Sequence, residues 1–289
     1  MDDLARYFII NRFLKYKERK DNGVLYNETD KTPESLIQYY YLINLESGRD
    51  VDFNHITYYF KKKYLFNENE IENVKNKLER EGLGEVYNYI RDKKYESIPN
   101  IYVILKLHQL LYSKVPYPEV GGKFRTAEAC ISNSDVRTTL PGNISKEISN
   151  LSTFYEALLE QGNLIKERPD LLIDYINNCI DLKCKLIEIH PFFDGNGRTS
   201  RALVNLLFRR VGLPIVYVKV SEKGEYIKAM DSAIRLKDKN AIHKFYHYKI
   251  CDSIFELDMN RKIADFQQEI TERPDVMCDE TIRKKLKNK

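Results

Sequence analysis

The sequence predicts a mainly α fold: a helical core carrying a short β-hairpin flap, with a helical extension ahead of it. Three observations lead there. Apolar residues recur at three- and four-residue spacing along most of the 289 positions, the period of a helix with one buried face. Helix start and stop signals bracket those runs. One stretch alone, Val120 to Asn143, has the Gly, Ser, Thr and β-branched texture of extended chain.

In order, residues 1–30 read as a short helix closed by the polar turn Lys20-Asp21-Asn22-Gly23. A stronger helix runs from Thr32 to Leu45, with Thr32 as N-cap, Pro33 at the first helical position and Ser47-Gly48 as the stop. Phe53–Lys63 and Glu68–Arg80 follow, the latter with Ile71, Val74 and Leu78 as its apolar stripe. Tyr87–Arg91 and Ile101–Leu111 are further helices. The flap comes next, and helices resume at Ser145–Gln161 and Pro169–Ile189. Gly212-Leu213-Pro214 breaks the chain before helices at Ser221–Leu236 and Asn240–Leu257. The tail from Asn260 is charged and interrupted by Pro274. Three regions are expected: a helical extension over 1–98, a core over 99–255 and a charged helical tail over 256–289.

Composition excludes several function classes. The chain is 43% hydrophobic and 31% charged, which fits a globular protein rather than a disordered one. Its net charge of +4, from 47 basic and 43 acidic residues, is too even to argue for nucleic acid. No segment has the length of a membrane span, and the acidic start Met1-Asp2-Asp3 does not read as a leader. Five cysteines without a CxxC pair read as reduced thiols, so a cytoplasmic location is expected.

Chemistry concentrates in His190-Pro-Phe-Phe-Asp-Gly-Asn-Gly-Arg-Thr-Ser-Arg201. Asp194-Gly195-Asn196-Gly197 reads as a turn that opens a helix. The first N–H groups of such a helix lack partners and sit at the positive end of its dipole, an anion site. Arg198, Arg201 and Asn205 recur at helical spacing on one face, and guanidinium forks suit phosphate oxygens. Asp194 is a hard-oxygen ligand suited to Mg²⁺. His190, just before the turn, can take a proton from a hydroxyl.

The twelve residues resemble, in full, the signature of the Fic family, His-x-Phe-x-Asp/Glu-Gly-Asn-Gly-Arg-x-x-Arg. The resemblance implies a Fic-type helical core and transfer of AMP from ATP to a Ser, Thr or Tyr hydroxyl of a target protein. It implies His190 as general base and Asp194 as the ligand of a Mg²⁺ on the α- and β-phosphates. Gly195, Asn196 and Gly197 would line an anion hole, Arg198 would meet the β-phosphate and Arg201 the γ-phosphate. Phe192 would anchor the loop. The flap residues Lys123, Phe124, Arg125 and Thr126 match a Gly-x-Phe/Tyr-Arg segment followed by a hairpin over the site, whose edge would pair with target backbone. Other Fic chemistries stay open, among them phosphate or phosphocholine transfer and AMP removal. So does a catalytically silent nucleotide-binding module.

Many Fic proteins carry an inhibitory Ser/Thr-x-x-x-Glu-Gly/Asn helix whose Glu pairs with the second motif arginine. No clean copy stands in this sequence. The nearest by position is Leu42-Ile-Asn-Leu-Glu46-Ser-Gly48, which makes Glu46 the inhibitory candidate on Arg201, with a separate inhibitor protein as the alternative.

Overall fold

The computed structural model describes residues 32–46, 57–92, 100–131 and 136–272. Nine α-helices occur among these: α1 (Pro33–Glu46), α2 (Thr57–Ile71), α3 (Lys77–Arg91), α4 (Val103–Leu111), α5 (Ile144–Leu164), α6 (Leu172–Ile189), α7 (Asn196–Arg210), α8 (Lys223–Asp231) and α9 (Asn240–Glu272). The mainly α expectation holds. No helix among the described residues is long and apolar enough to cross a membrane.

The innermost element is α7. Every residue from Arg198 to Arg209 is buried, the property of a helix packed on all sides rather than along one stripe. Helices α3, α4 and α6 pack on it. Leu203, Leu206, Leu207 and Phe208 meet Ile104 and Leu107 of α4 and Tyr175, Ile176 and Ile180 of α6 in one core. The Tyr175 hydroxyl donates to the Leu207 carbonyl at 2.8 Å, which satisfies a polar group buried in that core. Helix α5 covers α6, and α9 closes the other side against α1, α6 and α8.

Several expected boundaries move: α2 runs unbroken from Thr57 to Ile71, and the helix expected over Tyr87–Arg91 is the end of α3. The helix expected over Glu68–Arg80 is two helices, because Asn73 adopts a left-handed conformation (φ 55°). Val74 N–H then returns to the Asn69 carbonyl and Asn73 N–H to the Glu70 carbonyl, each at 3.0 Å, a glycine-type helix stop with Asn in the special position. Asn76 restarts the chain as the cap of α3, its Oδ1 accepting from Leu78 N–H at 2.9 Å and Glu79 N–H at 3.2 Å. The segment expected over Ser221–Leu236 divides into a 3₁₀ turn, α8 and a π turn over Ser232–Leu236. Between α7 and α8, Val216 is clamped by Asn205, whose amide donates to and accepts from the Val216 backbone at 2.9 and 2.8 Å.

The flap contributes one antiparallel bridge, Cys130 with Arg137, on either side of residues 132–135, which lie outside the described residues. The helix expected in residues 1–30 and the tail beyond residue 272 also lie outside them.

Because Asn76 is the hinge from which α3 begins, Asn76→Ala should cost about 1 kcal/mol in chemical denaturation. Asn76→Asp, which keeps the acceptor, should cost far less.

Candidate active site

The site is a loop between two buried helices. Helix α6 ends at His190, held left-handed (φ 52°, ψ 60°) with its N–H on the Leu186 carbonyl at 3.0 Å. A non-glycine residue pays for that conformation, so its neighbours must hold it. Arg125 does much of this: its Nε donates to the His190 carbonyl at 2.7 Å, its N–H to the Pro191 carbonyl at 2.9 Å and its Nη2 to the Thr139 carbonyl at 2.5 Å. Of the other flap residues, Phe124 packs near Phe192 with ring centroids 6.0 Å apart, while Lys123 and Thr126 are exposed.

Helix α4 supports the loop from below. The His108 ring stacks on Phe192 at 3.9 Å and 7°. Gly122 N–H donates to His108 Nδ1 at 2.9 Å, so the proton sits on Nε2, which donates to the Asp194 carbonyl at 3.0 Å. Tyr112 O–H donates to Asp194 Oδ2 at 3.0 Å. Phe192 is fully buried, as expected for an anchor, and exchanges two hydrogen bonds (2.8 and 2.9 Å) with the Asn196 side chain. That amide is therefore spent on bracing the loop, leaving the Asn196 backbone N–H at the helix start.

Gly195 caps α7 with φ 76°, and no side chain caps the helix. A Cβ at Gly195 would meet Leu111 Cδ2 at 2.9 Å and Tyr112 Cε2 at 3.2 Å. Here both the backbone angle and the space require glycine. One turn on, Arg198 and Arg201 are buried, at 2% and 4% exposure. Arg198 Nη2 pairs with Glu79 of α3 and lies 3.6 Å from Asp194 Oδ2. Arg201 Nε pairs with Glu68 of α2 at 2.5 Å, and its Nη2 with Glu72 at 2.7 Å. Glu68 is itself fully buried and accepts from Val218 N–H at 3.3 Å. The Glu72 carboxylate also lies over Gly197, where any Cβ would overlap Glu72 Oε1. An uncapped helix start thus already has a carboxylate on it, next to a guanidinium.

Charge follows from that geometry. Burial raises the Glu72 pKa, but Arg201 and then Arg198 outweigh it and hold the carboxyl below its usual range. Burial works against the Arg201 charge, and Glu68 and Glu72 more than reverse this, raising its pKa. His190 is pushed below the usual histidine value, chiefly by burial, so its ring is neutral near pH 7. Its Nδ1 is buried without a hydrogen-bond partner. The Asp194 side chain is 70% exposed, with one oxygen held by Tyr112. No group of three or more His, Cys, Asp or Glu side chains suited to a metal occurs among the described residues. A lone exposed carboxylate beside an anion site suits Mg²⁺, which takes few protein ligands and completes its shell with phosphate and water.

The sequence-derived site residues His190, Asp194, Gly195, Asn196, Gly197, Arg198 and Arg201 converge on one loop and helix start. One expectation changes, and another lies outside the described residues. Asn205 does not face the anion site, since its amide is consumed by Val216. The carboxylates on Arg201 are Glu68 and Glu72, and the Glu46 side chain lies outside the described residues. Glu68-Asn-Glu-Ile-Glu72-Asn73 has the Glu-Asn ending of the inhibitory pattern, with Glu68 in place of Ser or Thr. Relaxing that first position was the signal that would have found Glu72. Glu79, His108 and Tyr112 carry no such signal.

Comparison with known proteins agrees with the geometry. Residues 99–208 match the Fic/DOC family model, so the chain carries a Fic/DOC-family domain. Among curated proteins it is similar to Protein adenylyltransferase Fic of Nematostella vectensis, 28% identical over 155 residues that cover 53% of this chain and 33% of that one. It is also similar to Protein adenylyltransferase Fic of Drosophila grimshawi, 31% identical over 123 residues covering 43% and 23%. The chain spans a third or less of the length of these relatives. Its fold is similar to a Fic-domain-containing signaling protein from Bacteroides thetaiotaomicron, with a TM-score of 0.56 at 17% identity over 78% of this chain and 96% of that one. A fragment of Fic-1 from C. elegans gives 0.55 at 20% identity over 84% and 77%.

One consequence concerns acid stability. Burial lowers the His108 pKa to about 4, whereas the unfolded chain takes that proton near 6.5. The neutral folded form is therefore favoured above pH 6.5, and that contribution is lost as pH falls from 6.5 towards 4. Urea denaturation at pH 7 and pH 5 should show a drop in stability, and the drop should be smaller in His108→Asn.

Proposed function

We propose that this chain transfers AMP from ATP to a Ser, Thr or Tyr hydroxyl of a target protein, and that Glu72 restrains it. The observation that carries this reading is the uncapped start of α7 with two buried arginines, preceded by a half-buried neutral histidine. A helix start with two guanidinium forks is a polyphosphate site rather than a site for one anion. The relatives named protein adenylyltransferase support AMP as the transferred group.

In the proposed reaction the target hydroxyl gives its proton to His190 Nε2, the nitrogen left by the buried Nδ1. The oxygen forms a bond to the α-phosphorus, the bond from that phosphorus to the bridging oxygen breaks, and pyrophosphate leaves. The backbone N–H groups of Asn196 and Gly197 receive the developing charge, Arg198 the β-phosphate and Arg201 the γ-phosphate. Asp194 would hold Mg²⁺, which when bound offsets charge on the α- and β-phosphate oxygens. Tyr112 and His108 keep Asp194 aimed through its carboxylate and its carbonyl. Catalysis of this kind is positioning and charge stabilisation.

Glu72 stands where the γ-phosphate would go, because it shares Arg201 and covers Gly197. The core over 99–255 is then the catalytic part, and the extension over 1–98 carries the restraint in the turn between α2 and α3. Restraint in cis makes a separate inhibitor protein unnecessary.

Incubation with ATP labelled at the α or γ position tests the reaction. Glu72→Gly should place α-label, and no γ-label, on itself or on protein in a cell lysate, several-fold above the unsubstituted chain. Adding His190→Ala should cut that labelling by about 10²- to 10⁴-fold. Transfer of γ-label would make the protein a kinase and overturn the proposal. Equal labelling with and without Glu72 would remove the restraint.

A further inference from the structure

The three glutamates on the motif arginines are not equivalent. Glu72 lies in the turn after α2 and is a third exposed. Glu68 and Glu79 sit on the helices themselves, with side chains 1% and 14% exposed. Glu68 takes only the Nε of Arg201. Glu79 takes only the Nη2 of Arg198, which leaves that guanidinium with Nε and Nη1 buried and without any hydrogen-bond partner. Buried guanidinium N–H groups are rarely left unpaired, and two on one side chain indicate donors waiting for an acceptor. Arg198 is also nearly fully buried, at 2% exposure. Its fork cannot swing to find an acceptor elsewhere.

We infer that Glu79 is a positioning residue for the β-phosphate: it fixes Arg198 by one amino group, Nη2, so that the unpaired Nη1 is presented to that phosphate. Glu79 and the phosphate then share the guanidinium rather than compete for it, since they use different N–H groups. This inference rests on the reading of the site as one for a nucleoside triphosphate. It separates a permanent contact from α3, which orients an arginine, from a removable one in the α2–α3 turn, which blocks an arginine. The packing supports the division. Glu79 is in the first turn of α3, fixed by the Asn76 cap that also binds Glu79 N–H, and α3 packs directly on α7.

The test compares AMP with ADP, which differ by the β-phosphate. Binding is measured by titration calorimetry with Mg²⁺ in the Glu72→Gly chain, where the proposed block is gone. Adding Glu79→Gln should weaken ADP about tenfold, as expected for a charge-assisted hydrogen bond lost to misorientation, and leave AMP within about twofold. In an Arg198→Ala background the same Glu79→Gln change should cost ADP nothing further, because Glu79 acts through Arg198. A merely structural role for Glu79 would weaken AMP and ADP alike, or neither, and would overturn the inference. Tighter ADP binding by Glu79→Gln would overturn it too, since Glu79 would then be competing with the phosphate. If Glu79→Gln loses its cooperative thermal transition, Glu79→Asp replaces it with the same expected outcomes, because it retracts the carboxylate by one methylene. If the Glu72→Gly chain binds neither nucleotide, the nucleotide-site reading fails and takes this inference with it. That failure is distinct from normal ADP binding that Glu79→Gln does not change.

Discussion

Two guanidinium groups buried at the start of α7 constrain everything around them. A charge taken out of water must be compensated, or it costs several kcal/mol or more. Arg198 and Arg201 are compensated by Glu79, Glu68 and Glu72, all of which come from α2, α3 and the turn between them. Those helices precede the residues that match the Fic/DOC model, yet they complete the charge balance of its arginines. The break at Asn73 and the restart at Asn76 therefore matter well beyond local helix geometry. They set how far apart Glu72 and Glu79 emerge, and so which arginine each can reach. A phosphate ligand and the Glu72 carboxylate would take the same Nη edge of Arg201 and are alternative counter-ions there. Under the proposed function, nucleotide binding and the docking of the α2–α3 turn must then oppose each other by equal amounts of free energy, whichever is added first.

A second constraint is the left-handed backbone at His190. Strain of this kind persists only where surrounding contacts over-determine it. The loop meets that condition from three directions: Arg125 grips the carbonyls of His190 and Pro191 through Nε and the main chain, the Asn196 amide closes on Phe192, and His108 stacks beneath. His108 serves in this way because it is neutral. Its two nitrogens face a donor and an acceptor at once, and burial keeps a second proton off. The result is a rigid frame around the His190 ring, whose Nδ1 is buried.

Much of this was legible from the sequence, and the unread parts share a cause. Helical periodicity, caps and breaks located α1 and α4 to α7, because those signals are local. The twelve-residue motif is also local, and its His, Asp, Gly and Arg residues do come together. Glu72, Glu68 and Glu79 were not found because their partners are more than a hundred residues away. No periodicity of one helix announces what another will place beside it. The inhibitory pattern failed at one position, where Glu68 replaces a hydroxyl residue. The nearest match by position is Glu46, whose side chain lies outside the described residues. Asn205 failed for the opposite reason. It does share the helical spacing of Arg198 and Arg201, but its carboxamide, one turn deeper, is held by the backbone of Val216 and is not open to a ligand.

The substitution at residue 68 explains how one arginine can be both held and exchangeable. A guanidinium offers an Nε–H edge and an Nη edge, and a single carboxylate seldom commits both. Glu68, fully buried and tied to Val218 N–H, commits the Nε of Arg201. What remains is the Nη edge, and it points at the start of α7: Nη2 reaches Glu72, and Nη1 lies 3.1 Å from where a Gly197 Cβ would be. Removing Glu72 would thus leave Arg201 neither unpaired nor free to rotate. Its charge stays compensated by Glu68, its plane stays fixed, and its open edge faces the uncapped N–H groups of the helix. Holding one edge of each fork with a helix-borne carboxylate is what allows the other edge to change partners without unravelling the buried site.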